Sequence, residues 1–597
     1  MKATSIPTAD APDAGTRIPP FALAVVFIFV LFAVDSLDGA SFYADVDDKM
    51  RLLQIRDLLG DGQWHDLTMP FISMPEPYFS PWSRLVDAPY VLLTSFFGLF
   101  FPAETALGIA TRIWPPLLFV AFAWLVWGMA VRVKGSALSV AETVAFLAVL
   151  IFASLEFSPG RIDHHNAQML AVALAMRGVL VRDPVRAGLI VAAGVCLSVS
   201  IGLEAVPLLF VLIGALVVVS VSAGGREVLR MQAMGAGLFV MPPVLAMLLL
   251  GPQNALAGHC DAFSAVWIAI LMASGIVLCG VPLFWRRSAQ AGVRSFMLRL
   301  LSLAVPGVAA FAAVLWTWPE CMGGPYHMID AAARDFWLTG VPQEASFLQF
   351  FTFSAGLVFA GLMVAMAAAA AAAFLPALRA FREGKPDILI LWLVACVSVV
   401  LALVQTRYIR FPFFMVAVFM PLAVFTLKSG VRAGASRLAG AATAIVLILT
   451  GSAYAFSGNT GLVIRESDYL AADSCKAADY SVVRDIPPSR ILAPFGLTYG
   501  IVDQHAGHRL LAMEFHRAAP GISKMARIFG ATGEQPLAEL LAPVDYVVVC
   551  RRDWKIEFPS LPLFETLSRG ERVKGFELVE GGEVGRLAIY RVDHDRL

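Results

Sequence analysis

The sequence predicts a polytopic α-helical membrane protein with a small α/β domain at its C-terminal end. Three observations predict it. The 597 residues are 58% hydrophobic and only 15% charged, whereas a soluble globular chain carries about 25% charged residues. Apolar runs near the roughly 20 residues needed to cross a bilayer recur to about residue 456. Lysine and arginine gather in alternate connections, as cytoplasmic loops do. The net charge is zero, so no bulk attraction to nucleic acid is expected.

Spans are expected near 20–35, 105–131, 138–157, 166–181, 187–203, 205–222, 232–250, 264–284, 300–317, 350–375, 388–404, 411–427 and 438–456, about thirteen in all. Lys2 and Arg17 precede the first, and no small-residue cleavage site follows it. It is therefore read as an uncleaved span rather than a signal peptide. The run 86–101 is read as a half-buried helix within the first outward loop, because a full span there would invert the charge pattern downstream. That pattern places Arg132/Lys134, Arg182/Arg186, Arg226/Arg230, Arg286/Arg287/Arg294/Arg299, Arg379/Arg382/Lys385 and Lys428/Arg432/Arg437 in the cytoplasm. Four loops then face outward, at 36–104, 158–166, 251–263 and 318–349. Residues 1–456 form the membrane domain and 457–597 an outer domain.

The loop 158–166 holds Gly160-Arg161-Ile162-Asp163-His164-His165-Asn166 between two apolar runs. Ionisable groups at a membrane boundary are costly and mark a pathway or a site. Asp163 and His165, two apart on a loop, can grip one cation, and His164 is a further candidate. The first loop carries Asp45-Val46-Asp47-Asp48 ahead of a periodic segment, 49–60. That segment is expected to be an amphipathic helix lying on the membrane surface. A helix N-terminus favours negative charge, but capping accounts for one of the three Asp, not all. Trp82 reads as an interfacial anchor, and Arg84 beside it is a candidate for binding phosphate.

The loop 318–349 is rich in Gly and Pro and ends near Glu344; such long loops are commonly functional. Gln405-Thr406-Arg407-Tyr408-Ile409-Arg410 puts two arginines at an outward span end, against the charge pattern. A guanidinium there can hold a phosphate through two hydrogen bonds; simple snorkelling is the alternative. Cys260 and Cys321 fall in two outward loops, and Cys475 and Cys550 in the C-terminal region, compatible with two disulfides in an oxidising compartment. The C-terminal region predicts strands at 490–494, 509–513, 544–550, 574–579 and 586–592, with helices near 520–530 and 536–542. It shows no metal or nucleotide motif, and His505, His508 and His516 read as structural.

Carboxylates with one imidazole suit Mg²⁺ or Mn²⁺, whereas a closed zinc site would want more Cys or His. The expected metal ligands are Asp47, Asp163, His165 and Glu344. Asp47, Asp45 and Glu344 are the catalytic candidates, with Asp48 in reserve. Arg407, Arg410 and Arg84 are the candidates for the donor phosphate. A metal and an arginine together stabilise a leaving phosphate or diphosphate, and a free carboxylate could orient or deprotonate the attacking group.

These motifs, in this order relative to the spans, resemble the GT-C superfamily of integral membrane glycosyltransferases, most closely the catalytic subunit of oligosaccharyltransferase. Asp45-Val46-Asp47-Asp48 is similar to its first-loop Asp motif. Asp163-His164-His165 is similar to its second motif in the Asp-His-His form of archaeal members. Glu344 is similar in place to the Glu of its mobile loop, and Arg407 or Arg410 to its lipid-phosphate arginine. The resemblance covers about residues 20–456. The Trp-Trp-Asp signature that reads Asn-x-Ser/Thr acceptors is absent from 457–597. The resemblance therefore implies metal-assisted, inverting transfer of a sugar from a polyprenyl-phosphate or diphosphate donor to a polysaccharide, a lipid or another protein site. It further implies a bacterial inner-membrane enzyme whose site and C-terminal domain face the periplasm. The alternative is a transporter or flippase of lipid-linked sugars, which predicts mid-span charges. Few are present, and Glu204 stands near a span end. A non-catalytic assembly scaffold is a third reading.

Overall fold

A computed structural model of the chain describes residues 45–60, 62–74, 76–285, 293–344, 346, 356–428, 475, 478–532, 537–552, 560–581 and 583–597, and part of 22–33. Eleven of the expected apolar runs fall on described helices. These are α3 (Ala103–Lys134), α4 (Val140–Ser154), α5 (His165–Val179), α6 (Pro184–Ile201), α7 (Val206–Ala223), α8 (Gly225–Leu249), α9 (Ala265–Gly280), α10 (Val293–Thr317), α11 (Gly356–Arg382), α12 (Pro386–Val404) and the broken pair α13 (Arg410–Ala417) and α14 (Met420–Lys428). The run 20–35 is helical where it is described, and 438–456 lies outside the described residues. Among the described residues, nine helices are long and apolar enough to cross a membrane.

The helix ends follow local chemistry. Ser139 and Glu142 form a capping box at the start of α4. Asp183 accepts from the Arg186 N–H, and Pro184 opens α6. α5 and α6 approach closely because Gly194 has no β-carbon; one placed there would lie 2.4 Å from the Ala175 nitrogen. That close approach fixes the axis of α5, whose first residue is His165.

The first loop departs from expectation. Its helix α1 (Val46–Leu59) does not lie on a membrane surface, for Met50, Arg51, Leu52, Leu53, Gln54 and Ile55 are all buried. The polar members of that set have a partner on α2 (Arg84–Phe97) that periodicity could not show. Asp87 accepts from Arg51 Nη1 at 2.8 Å, from Gln54 Nε2 at 2.6 Å and from Arg84 Nη1 at 3.2 Å. Trp82 is likewise buried, not an interfacial anchor, and the Arg51 guanidinium lies 4.6 Å from its ring. Asp87 thus neutralises two fully buried arginines. Removing one partner of such a pair strands the other charge and costs about 3–5 kcal/mol. Asp87→Ala is expected to lower the thermal unfolding temperature sharply; an unchanged melting curve would refute this account of α1.

The run 86–101 matches its expectation better. α2 buries Val86, Tyr90 and Thr94 and exposes Leu92 and Phe96, and Leu99, Phe100 and Phe101 beyond it are exposed too.

The C-terminal sheet has seven strands in the order β2-β1-β4-β3-β5-β7-β6. β3 (Arg490–Leu492), β4 (Arg509–Leu510), β5 (Tyr546–Cys550), β6 (Phe576–Gly581) and β7 (Leu587–Val592) fall where strands are expected. Helices at Ala519–Phe529 and Leu537–Leu541 do the same. β1 (Thr68–Ser73) and β2 (Pro77–Phe79) come from the first loop instead. β1 runs parallel to β4, with Ile72 beside Leu510. Met69, Ile72 and Tyr78 share one apolar core with Ile491, Val547 and Ile589, so the boundary at 456/457 does not separate two independent cores. Disulfides join Cys260 to Cys321 and Cys475 to Cys550. Asp261 also holds Arg517 at 2.6 Å and His516 at 2.7 Å.

Candidate functional site

Three chain segments converge where α1 and α5 begin. α1 brings Asp45, Asp47 and Asp48; Asp45 caps the helix, accepting from the Asp47 N–H at 3.4 Å. Asp48 is buried and accepts from the Asp163 N–H at 2.9 Å and from Arg161 Nη1 at 2.7 Å. It therefore docks one loop on the other and has little capacity left for a ligand. Asp163 and His165 are buried as well. Asp163 Oδ1 meets His164 Nδ1, and its Oδ2 stands 3.0 Å from His165 Nε2. The metal-capable atoms of Asp163, His164 and His165 all lie within 4.8 Å of one another.

Burial opposes ionisation of Asp163, but the adjoining His164 and His165 overcome it and hold its carboxyl well below the usual range. The opposite holds for Asp47. Burial, then the charges of Asp163 and Asp45, push its carboxyl well above the ordinary value, with only His165 pulling it down. The Asp47 carboxylate makes no hydrogen bond or ion pair among the described residues. Carboxylates this close with so little compensation are the environment in which a cation lowers the energy of all of them.

Arg410 supplies positive charge on the far side. Its Nε lies 3.8 Å from Glu156 and its Nη1 3.8 Å from Glu204, and neither nitrogen makes a hydrogen bond. Glu204 also stands 3.2 Å from His165 Nδ1. Burial raises its carboxyl, but Arg410 and His165 more than reverse that. Glu156 accepts from Arg161 Nη2 at 3.0 Å. Around this point Asp163 Oδ2, both ring nitrogens of His165, Glu204 Oε2 and Arg410 Nε and Nη1 meet only as ion pairs, without an aligned hydrogen bond, and Glu204 Oε1 has no partner among the described residues. Unsatisfied buried atoms are uncommon and need a reason. A cation against the Asp163–His165 pair and an oxyanion against Arg410 would satisfy them on both sides. The grouped atoms of Asp163, His164 and His165 fit a divalent metal, and the charge of Asp47 acts together with that of Asp163.

Two expected residues lie differently. Arg84 is not free for phosphate: its Nε donates to the Trp64 carbonyl at 3.1 Å, its Nη2 to the Asp66 carbonyl and its Nη1 to Asp87. It is fully buried structural charge. The contacts of Glu344 are with a second group of residues. It pairs with Arg407, accepts from Tyr326 Oη at 3.1 Å and accepts from Gln405 Nε2. Arg407 in turn donates to Tyr326 Oη at 2.7 Å. Glu344 and Arg407 thus clasp one another at the end of the 318–344 loop.

Three charged residues complete the centre beyond those anticipated: Glu204, Glu156 and Arg161. Glu204 had a visible signal, a lone carboxylate between two apolar runs. Arg161 stood inside the motif, but its partners Asp48 and Glu156 come from two other segments.

No protein-family model matches the sequence, and no curated protein matches it. Solved structures do. The archaeal oligosaccharyltransferase AglB from Archaeoglobus fulgidus, in complex with an inhibitory peptide and a dolichol-phosphate, aligns with a TM-score of 0.62 at 12% identity. The alignment covers 89% of this chain and 69% of that one. The Archaeoglobus fulgidus enzyme tethered to an acceptor peptide containing the NVT sequon aligns at 0.59 and 12% identity, over 89% and 68%. Its complex with zinc and sulfate aligns at 0.57 and 13% identity, over 89% and 68%. A likeness at this identity defines the fold, and it is the fold class that the sequence led one to expect.

Proposed function

We propose that this chain, an integral membrane protein with the GT-C fold, is a glycosyltransferase. It moves a sugar from a polyprenyl-phosphate or diphosphate donor to an extracytoplasmic acceptor, with inversion. The observation that carries the reading is the enclosed chain of ion pairs running from Asp163 through His165 and Glu204 to Arg410. They put cation-binding and anion-binding groups side by side, which is what the ester of a sugar and a lipid phosphate requires. The archaeal enzyme of like fold carries a dolichol-phosphate in one structure and zinc with sulfate in another. A lipid phosphate and a metal with an oxyanion on that fold support the same assignment here.

Asp47, Asp163 and His165 are the residues that would hold Mg²⁺ or Mn²⁺, with His164 beside them. Bound there, the ion would supply Lewis-acid stabilisation of charge on the leaving phosphate. The chain does the rest. Arg410, whose Nε and Nη1 make no hydrogen bond, can clamp phosphate oxygens as charge develops. Glu156 and Glu204 hold that guanidinium from both sides. Arg161 and Asp48 lock the two acidic loops together. Glu344 and Arg407 pair directly and share the Tyr326 hydroxyl, which sets Arg407 beside the candidate phosphate site. The two disulfides fit an oxidising compartment and support the reading that the site and the C-terminal domain face the periplasm at a bacterial inner membrane.

The test is binding by the purified full chain. Mn²⁺ together with a polyprenyl phosphate should raise the thermal unfolding temperature, by about 2.7 kcal/mol of stabilisation when ligand is 100-fold over Kd. Mass spectrometry of the lipid that copurifies should find a polyprenyl-linked phosphate or sugar phosphate. No stabilisation by either ligand would overturn the assignment.

A further inference from the structure

An apolar slot of about 200 Å³ opens beside the loop that carries Arg161 and Asp163. Pro89 of α2, Trp114 of α3, Leu170 and Leu174 of α5 and Ile201 of α6 line it. Asn166 stands at the end nearest the loop, and both ends of its amide are already used. Its Nδ2 donates to the Arg161 carbonyl at 2.9 Å, and its Oδ1 accepts from the Ala167 N–H at 2.6 Å. One turn before Trp114, the Thr111 carbonyl accepts from the Gly160 N–H at 3.1 Å. The slot therefore starts at the 158–166 loop and runs two turns along α5, about 12 Å at the helical rise. Its volume holds about six or seven groups of water or methylene size, at about 30 Å³ each.

The walls offer hydrocarbon and one indole, so a sugar or a phosphate would leave its polar groups unpaired there. Leu85, Pro89, Trp114, Leu170 and Leu174 are half-buried, which leaves one side open. On α2, Leu85 and Pro89 continue at helical spacing into Leu92 and Phe96, both exposed. The mouth thus gives onto an apolar stripe, which in an integral membrane protein the hydrocarbon of the bilayer covers. A hydrocarbon chain is the guest that fits.

The position of the slot says which lipid owns that chain. The donor phosphate belongs with Arg410, which reaches His165 through Glu204 at 3.8 Å and 3.2 Å. Leu170 and Leu174 stand about 140° and about 180° round α5 from His165, at about 100° per residue. The slot and the phosphate-binding groups therefore lie on opposite faces of α5. Inversion calls for such an arrangement, because the nucleophile attacks the sugar C1 from the side opposite the leaving group.

We propose that the slot seats one hydrocarbon chain of the acceptor, and that the acceptor is a membrane lipid carrying a hydroxyl; this rests on the glycosyltransferase reading above. A chain in the slot brings the head of that lipid to the 158–166 loop, where Arg161, Asp45 and Glu156 are partly exposed. The hydroxyl oxygen bonds to the sugar C1 as the C1–O bond to phosphate breaks. The bonding pair leaves with the phosphate, and the hydroxyl proton passes to solvent.

The test uses the full-length protein with Mn²⁺ in phosphatidylcholine nanodiscs, whose lipid has no hydroxyl to accept sugar. A panel of polyprenyl-phosphate-linked radiolabelled sugars serves as donor. Bacterial membranes are divided into an organic-solvent lipid extract and the delipidated residue, and each is offered as acceptor. Label should enter the lipid extract and not the residue. Leu170→Trp fills the slot. Each buried methylene strengthens binding about fourfold, so shutting out about three or four should raise the KM for the lipid acceptor about 10²-fold. Binding of polyprenyl phosphate and the melting temperature should stay unchanged. Ala167→Leu, a smaller intrusion, should raise that KM by less, and it decides the matter if the tryptophan variant does not fold. Label confined to the residue, or a wild-type KM in both variants, would overturn the acceptor slot while leaving the glycosyltransferase reading intact. So would a KM rise matched by weaker polyprenyl phosphate binding, which would give the slot to the donor chain. A lower melting temperature with unchanged KM would give it to a bilayer phospholipid and equally overturn the proposal. Failure of the unaltered protein to bind polyprenyl phosphate, or to turn over any donor with either fraction, would instead overturn the glycosyltransferase reading, and the acceptor slot with it.

Discussion

Asp163→Ala is expected to abolish sugar transfer, by at least about 10²–10³-fold, the loss typical when one group stabilising developing charge is removed. It should equally abolish stabilisation by Mn²⁺. The fold should survive. The backbone N–H that Asp163 donates to Asp48 does not depend on its side chain, and the interlocking Arg161–Asp48 pair stays whole. His164 can remain neutral and His165 keeps Glu204 as its counter-charge at 3.2 Å, so no charge is stranded. Two measurements decide it: transfer from a polyprenyl-phosphate donor, and the shift in unfolding temperature with and without the cation. Full transfer by the variant would remove Asp163 from the centre.

Arg410→Lys carries the second-largest expected effect. A lysine keeps the positive charge between Glu156 and Glu204, so neither buried carboxylate is left uncompensated and the chain should fold. What it loses is the planar fork. Lysine is a point charge and cannot hold two phosphate oxygens at once. Turnover should fall about 10²-fold or more, and affinity for polyprenyl phosphate should weaken with it. Arg410→Ala is the less informative change, because it takes a cationic partner from both Glu156 and Glu204 and so mixes lost stability with lost activity. Titration of polyprenyl phosphate against the lysine variant is the direct check; wild-type affinity would leave the phosphate to Arg407.

What the sequence decided by itself were the features written locally. Apolar runs of spanning length became helices because a backbone in hydrocarbon must satisfy its own hydrogen bonds. Short apolar, β-branched runs in the last 110 or so residues became β3 to β7, with β5 and β7 buried along nearly their whole length, as such runs suit a buried strand. Asp163-His164-His165 was conspicuous because charge at a membrane boundary has no cheap structural excuse.

What only tertiary structure decided were the partnerships between segments far apart in the chain. Helix α1 was expected on a membrane surface, but Asp87, 36 residues from Arg51, made its burial affordable. The strands β1 and β2 are short and unremarkable until β4, more than 400 residues later, gives them an edge to pair with. Arg84 and Arg410 are equally basic by sequence; one spends every donor on Asp87 and backbone carbonyls, whereas the other keeps two nitrogens unbonded. Glu204, noted in the sequence only as a charge near a span end, meets His165 and Arg410 for the same reason. A residue's type fixes the chemistry it is capable of, but whether that chemistry is already consumed depends on which distant groups the fold brings within hydrogen-bond reach.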